Sequence, residues 1–92
     1  MGPPSPTALV VEADQSVRET LILVLQEAGY AVLGCATGEA ALAALQAGTP
    51  ATILVTEVRL PGLNGWQLAR AVRHLRPSLP ILYIPALPER SS

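Results

Sequence analysis

Three carboxylates stand where side chains could do chemistry. Glu12 and Asp14 follow the apolar run Ala8-Leu9-Val10-Val11, and Glu57 follows the apolar run Thr52 to Thr56. Short apolar runs of this kind are the pattern of strands buried on both faces. Parallel sheets gather their functional groups at the carboxyl ends of the strands. If the two strands are neighbours, about 4.8 Å apart, Glu12 and Glu57 share one crevice. Two carboxylates without a cation repel, which raises the pKa of one of them. The pair is therefore expected to titrate as a coupled unit, or to draw in an arginine such as Arg59. The plain alternative for Glu57 is a solvated residue at a loop edge, and for Asp14 a polar residue ahead of a helix.

These acids need a scaffold, and the chain alternates strand and helix signals. Ser16-Val17-Arg18-Glu19 has the form of a capping box, opening a helix to about Ala28 with Gly29 as its stop. Its inward face is expected to be Val17, Leu21, Val24, Leu25 and Ala28. Ile22 and Leu23 fall outside that stripe, so the helix is apolar on more than one side. Ala31 to Ala36 is a second strand. Thr37 caps a helix over 38–47 with Leu42 and Leu45 inward, and Thr52 to Thr56 is the third strand, ending at Glu57. Asn64 caps a third helix with Leu68, Val72 and Leu75 inward, ended by Pro77 and Pro80. Ile81 to Ile84 is a fourth strand closed by Pro85. The order βαβαβαβ implies a parallel sheet with right-handed crossovers. The boundaries expected are a Pro-rich flexible tail over 1–7, one domain over 8–86 and a second tail over 87–92.

Ninety-two residues make one small domain. With 50% hydrophobic and 14% charged residues, the chain is not intrinsically disordered. A net charge of −1 gives no reason to expect a nucleic acid partner. No apolar run approaches the length of a membrane span, and the start has neither a signal peptide nor a myristoylation site. Cys35 is the only cysteine, so an internal disulfide and a cysteine-based metal site are excluded. A cytoplasmic setting fits these features. Cys35 reads as a small buried hydrophobe, and Arg70, Arg73 and Arg76 as a solvated face. His74 complements a helix dipole. Trp66 and Tyr83 are either core or an interface anchor.

Val10-Val11-Glu12-Ala13-Asp14 with its capped helix, and Glu57-Val58-Arg59-Leu60-Pro61-Gly62-Leu63-Asn64-Gly65, resemble the receiver domain of two-component response regulators. The first block resembles the acidic cluster after strand one. The second resembles the phosphoacceptor strand and the loop into helix three. The resemblance implies a flavodoxin-like sheet of order 2-1-3-4 with three helices, lacking the family's last helix, strand and helix. It also implies a site where an aspartate takes a phosphoryl group from a histidine kinase. In that site Mg²⁺ is held by carboxylates and by the carbonyl two residues beyond the acceptor. A Ser or Thr ends strand four and a Lys ends strand five.

The chain departs from that pattern at its chemical positions. The phosphoacceptor equivalent is Glu57, and the acidic pocket keeps Glu12 and Asp14 while Ala13 replaces the expected metal ligand. The strand-four switch position is Pro85, and the sequence contains no lysine. Phosphoryl transfer depends on positioning and charge neutralisation, and a glutamate displaces the nucleophile by about an ångström. The expected function is therefore a non-catalytic, degenerate receiver acting as a protein–protein interaction module, independent of phosphorylation and with no cofactor, Mg²⁺ included. The alternative is an active receiver accepting a phosphoryl group from a histidine kinase at Glu57 or, as a lesser variant, at Asp14. A piece of a longer regulator is a third reading. Apolar surface without the family's last elements implies a homodimer or docking on a histidine kinase or other two-component protein, with Ile22, Leu23 and Tyr83 as candidate interface residues.

Overall fold

The computed structural model describes residues 5–85. Four strands and three helices alternate: β1 Thr7–Val11, α1 Gln15–Glu27, β2 Ala31–Cys35, α2 Gly38–Gln46, β3 Ile53–Glu57, α3 Gly65–Leu75 and β4 Ile81–Ile84. All strands pair in parallel in the order β2-β1-β3-β4, the flavodoxin-like arrangement expected. The central strands β1 and β3 carry the core. Leu9, Val10, Val11, Leu54 and Thr56 are buried there, and Leu68 and Val72 of α3 and Ala41 and Leu45 of α2 close over one face. Both central strands are apolar on both faces because helices lie on both sides of the sheet. The tails expected at 1–4 and 87–92, and Ala86, lie outside the described residues. Thr7 belongs to β1 rather than to a tail, and its N–H is held by Thr52 Oγ1 at 2.9 Å.

Two helix starts follow the sequence and one does not. Thr37 Oγ1 accepts from the Ala40 N–H at 3.0 Å. Asn64 and Gln67 form a reciprocal capping box. The first helix, however, is capped by Asp14, whose Oδ1 accepts from the Val17 N–H at 3.0 Å. Ser16 lies inside the helix, and its carbonyl accepts from Thr20 Oγ1. Asp14 comes first along the chain and an aspartate caps as well as a serine, so the helix opens two residues earlier.

The inward face of α1 is also rotated from the expected one. Arg18, Leu21, Ile22 and Leu25, spaced i, i+3, i+4 and i+7, are half-buried together with Val17. Val24 is 57% exposed and Ala28 is exposed. The reason lies in β2. Gly34 has no side chain, and Ile22 fills that gap so fully that a Cβ on Gly34 would come within 2.7 Å of Ile22 Cδ1. No residue of α1 is fully buried. Leu75, expected inward on α3, is partly exposed, because the helix ends there.

Arg73 and Arg76 are not merely solvated. Arg73 donates to the Leu79 carbonyl, and Arg76 to the Leu45 and Thr49 carbonyls at 3.2 and 2.8 Å. Arg76 thus ties the end of α3 to the carbonyl end of α2.

Candidate functional site

Register brings the acids together. Val11 pairs with Thr56, so Glu12 and Glu57 stand side by side one residue further along. Glu12 is buried, and its N–H donates to the Cys35 carbonyl at 3.0 Å. Glu57 is half-buried, and its Oε2 is enclosed with no hydrogen-bond partner among the described residues. Burial pushes the Glu57 carboxyl up to about 7, helped by repulsion from the adjacent Glu12. Asp14 adds repulsion, while the Ala13 backbone opposes the rise. The coupled pair expected from the sequence is therefore present.

The arginine expected to relieve this pair does not. Arg59 is exposed, and no ion pair joins it to either glutamate among the described residues. Arg18 instead reaches the backbone beside the pair. Its Nη1 donates to the Glu12 carbonyl at 2.8 Å and to the Ala13 carbonyl at 3.4 Å. It pins the β1–α1 loop by its backbone and leaves the carboxylates alone. Its stem also lies along Gly34, and its charge opposes the rise that burial imposes on the Cys35 thiol. The available signal was its position one turn after Asp14, on the helix that follows the acid cluster.

The loop after β3 is held at several points. Thr56 Oγ1 donates to the Glu57 carbonyl at 3.0 Å, and the Gly65 N–H donates to the Val58 carbonyl at 2.9 Å. Gly65 must be glycine here, since a Cβ would lie 2.5 Å from the Glu57 carbonyl oxygen and 2.9 Å from Val58 Cα. Both obstacles are backbone, so neither can swing away. Gly62 adopts φ +71°, in the region open to glycine. Glu39 of α2 accepts from the Leu63 N–H at 3.3 Å. These contacts place the start of α3 against the strand end that carries Glu57.

The donor set does not suit Mg²⁺. That ion asks for near-octahedral oxygen coordination. Ala13 offers no side-chain oxygen, and Asp14 is committed to the α1 cap. Glu12 Oε2 already accepts from the Asp14 N–H at 3.4 Å. Glu57 Oε2 is the one buried side-chain atom without a hydrogen-bond partner among the described residues.

At the far side of the site, Glu57 pairs with Ile84, so Pro85 follows directly at the strand end. Ile22 packs against Gly34 of β2 and is half-buried. Leu23 is 61% exposed. Tyr83 is half-buried and stacks on Trp66 of α3 at a ring separation of 4.5 Å. Trp66 itself is largely exposed, so this pair is a surface aromatic cluster rather than core.

Residues 8–91 match the model of the response regulator receiver domain. Similar curated proteins include the transcriptional regulatory protein CreB of Escherichia coli, 32% identical over 90% of this chain and 36% of that protein. Another is the response regulator receiver protein CpdR of Brucella abortus, 34% identical over 83% of this chain and 62% of that protein. The chain thus spans about a third of the first relative. Among solved structures, a response regulator receiver protein from Sinorhizobium medicae superposes with a TM-score of 0.86 at 28% identity, over 92% of this chain and 69% of that one. The chemotaxis protein CheY4 of Vibrio cholerae gives 0.84 at 28% identity, over 95% of this chain and 73% of that one.

Proposed function

The chain belongs to the response regulator receiver domain family, and from that premise we propose a receiver that has kept its fold and lost its phosphotransfer: a non-catalytic, phosphorylation-independent protein–protein interaction module in two-component signalling. The observation that carries this reading is the Glu12–Glu57 pair, two carboxylates in one crevice with no arginine paired to either among the described residues. A phosphoryl acceptor works as an ionised nucleophile beside positive charge that neutralises the transferring group. Glu57 instead has its carboxyl pushed up to about 7 by burial and faces a second acid. Ala13 and Pro85 occupy the places where the family has a metal ligand and a hydroxyl.

The partners this supports are a histidine kinase, another two-component protein or a second copy of the chain. DNA binding is not carried over from transcriptional regulators: the chain covers 36% of CreB, and its net charge is −1. A cytoplasmic setting suits the buried, unpaired Cys35. No helix among the described residues is long and apolar enough to cross a membrane.

Incubation with Mg²⁺ and a small-molecule phosphodonor, followed by intact mass measurement, tests the reading. The expected result is an unchanged mass. Addition of one phosphoryl group, lost on Glu57→Gln, would establish the active-receiver alternative.

A further inference from the structure

The outer edge of β4 carries unmet backbone bonding in an orderly pattern. In a parallel ladder, alternate residues turn both N–H and C=O toward the neighbouring strand and those between turn them away. The Leu54 N–H donates to the Pro80 carbonyl at 3.0 Å, with Leu54 opposite Ile81. Pro80, Leu82 and Ile84 therefore face β3, and Ile81 and Tyr83 direct their N–H and C=O groups outward. The flanking positions add no donor. The Leu79 N–H is spent on the Arg76 carbonyl, its own carbonyl receives Arg73, and Pro85 has no N–H. Among the described residues nothing pairs with the outward groups of Ile81 and Tyr83.

We infer that this edge pairs with the same edge of a second copy, antiparallel, about a two-fold axis at Leu82. The inference rests on the reading that the domain works through contacts. Strand periodicity admits only registers that keep like faces together. Centred on Leu82, Ile81 of each copy exchanges both bonds with Tyr83 of the other, and every outward group of these two residues is used. Centred on Tyr83, Ile81 would face Pro85 and lose a donor. Leu82, 56% exposed in the single copy, then meets its counterpart as the close, non-hydrogen-bonded pair. No charged side chain lies between positions 77 and 85, so nothing on the strand repels a second copy, and an uncharged edge suits an identical partner. The nearby Arg73 is spent on the Leu79 carbonyl, and Arg70 and His74 stand on α3. There, with Trp66, Gln67 and Ala71, they line an open groove of about 500 Å³. The result is a continuous eight-stranded sheet.

Sedimentation of the 92-residue chain at micromolar concentration should give a dimer, and Leu82→Lys a monomer with unchanged circular dichroism. Leu82→Cys should give a disulfide-linked dimer under mild oxidation, because Cα atoms about 4.5 Å apart lie within disulfide reach. Leu23→Cys should not. A monomeric wild type overturns the inference. So does a dimer that survives Leu82→Lys, or one cross-linked through Leu23→Cys and not Leu82→Cys. The phosphodonor mass is independent of all these outcomes, so the interaction-module reading stands or falls separately.

Discussion

At the scale of single residues, the chemistry of the chain is concentrated in a proton. Glu57 ordinarily titrates near 4.5 and is held at about 7 in the fold. A carboxyl raised on folding binds its proton more tightly in the native state. Its contribution therefore favours the fold at low pH and is lost as pH rises from about 4.5 toward about 7. Glu57→Gln, which is always neutral, should melt several degrees above the wild type at about pH 8 and lose much of the fall in Tm between about pH 5 and pH 8. Thermal melts across that range would show it, and a variant with the wild-type pH dependence would remove the acid pair as its origin. The coupling was legible in the sequence, because both acids end apolar runs. The absence of help from Arg59 was not, since a loop arginine's direction depends on packing far from its neighbours in the chain.

At the scale of elements, the cap of α1 shows how local rules compete. Asp14 and Ser16 are both good caps, and only the observed bond from Val17 distinguishes them. Asp14→Ala should cost about 1 kcal/mol, which shifts Tm by about 4–8 °C in a domain of this size. Ser16→Ala should change it by far less. Equal losses in the two variants, read by thermal denaturation, would return the cap to Ser16. Helix α2 gave no such ambiguity, because Thr37 is the only strong cap near its start. The facing of α1 was misjudged for a different reason. Two overlapping apolar stripes run along the helix, and the gap at Gly34 selected the one containing Ile22.

At the scale of the whole molecule, burial is unevenly shared. The central strands are sealed, whereas α1 has no fully buried residue and leaves Leu23 and Val24 in solvent. Amides held by few buried contacts open at lower free energy than those of the core. Hydrogen exchange should therefore release the α1 amides well before those of β1 and β3. Equal protection across α1 and β1 would mean that the helix is covered in solution. On the sheet's other flank, Leu82 and the outward groups of β4 mark the edge where pairing would complete the sheet.

The order of elements, their parallel arrangement and the strand ends at which the acids sit were all legible in the amino-acid sequence. Caps, periodicity and glycine stops act within about ten residues, so a single chain segment carries all the information they need. Only the tertiary structure decided which α1 face turns inward, that Arg18 and Arg76 bind carbonyls, that Trp66 stacks on Tyr83, and which β4 groups point outward. Each of these depends on register between segments distant in sequence, where a shift of one residue exchanges the two faces of a strand.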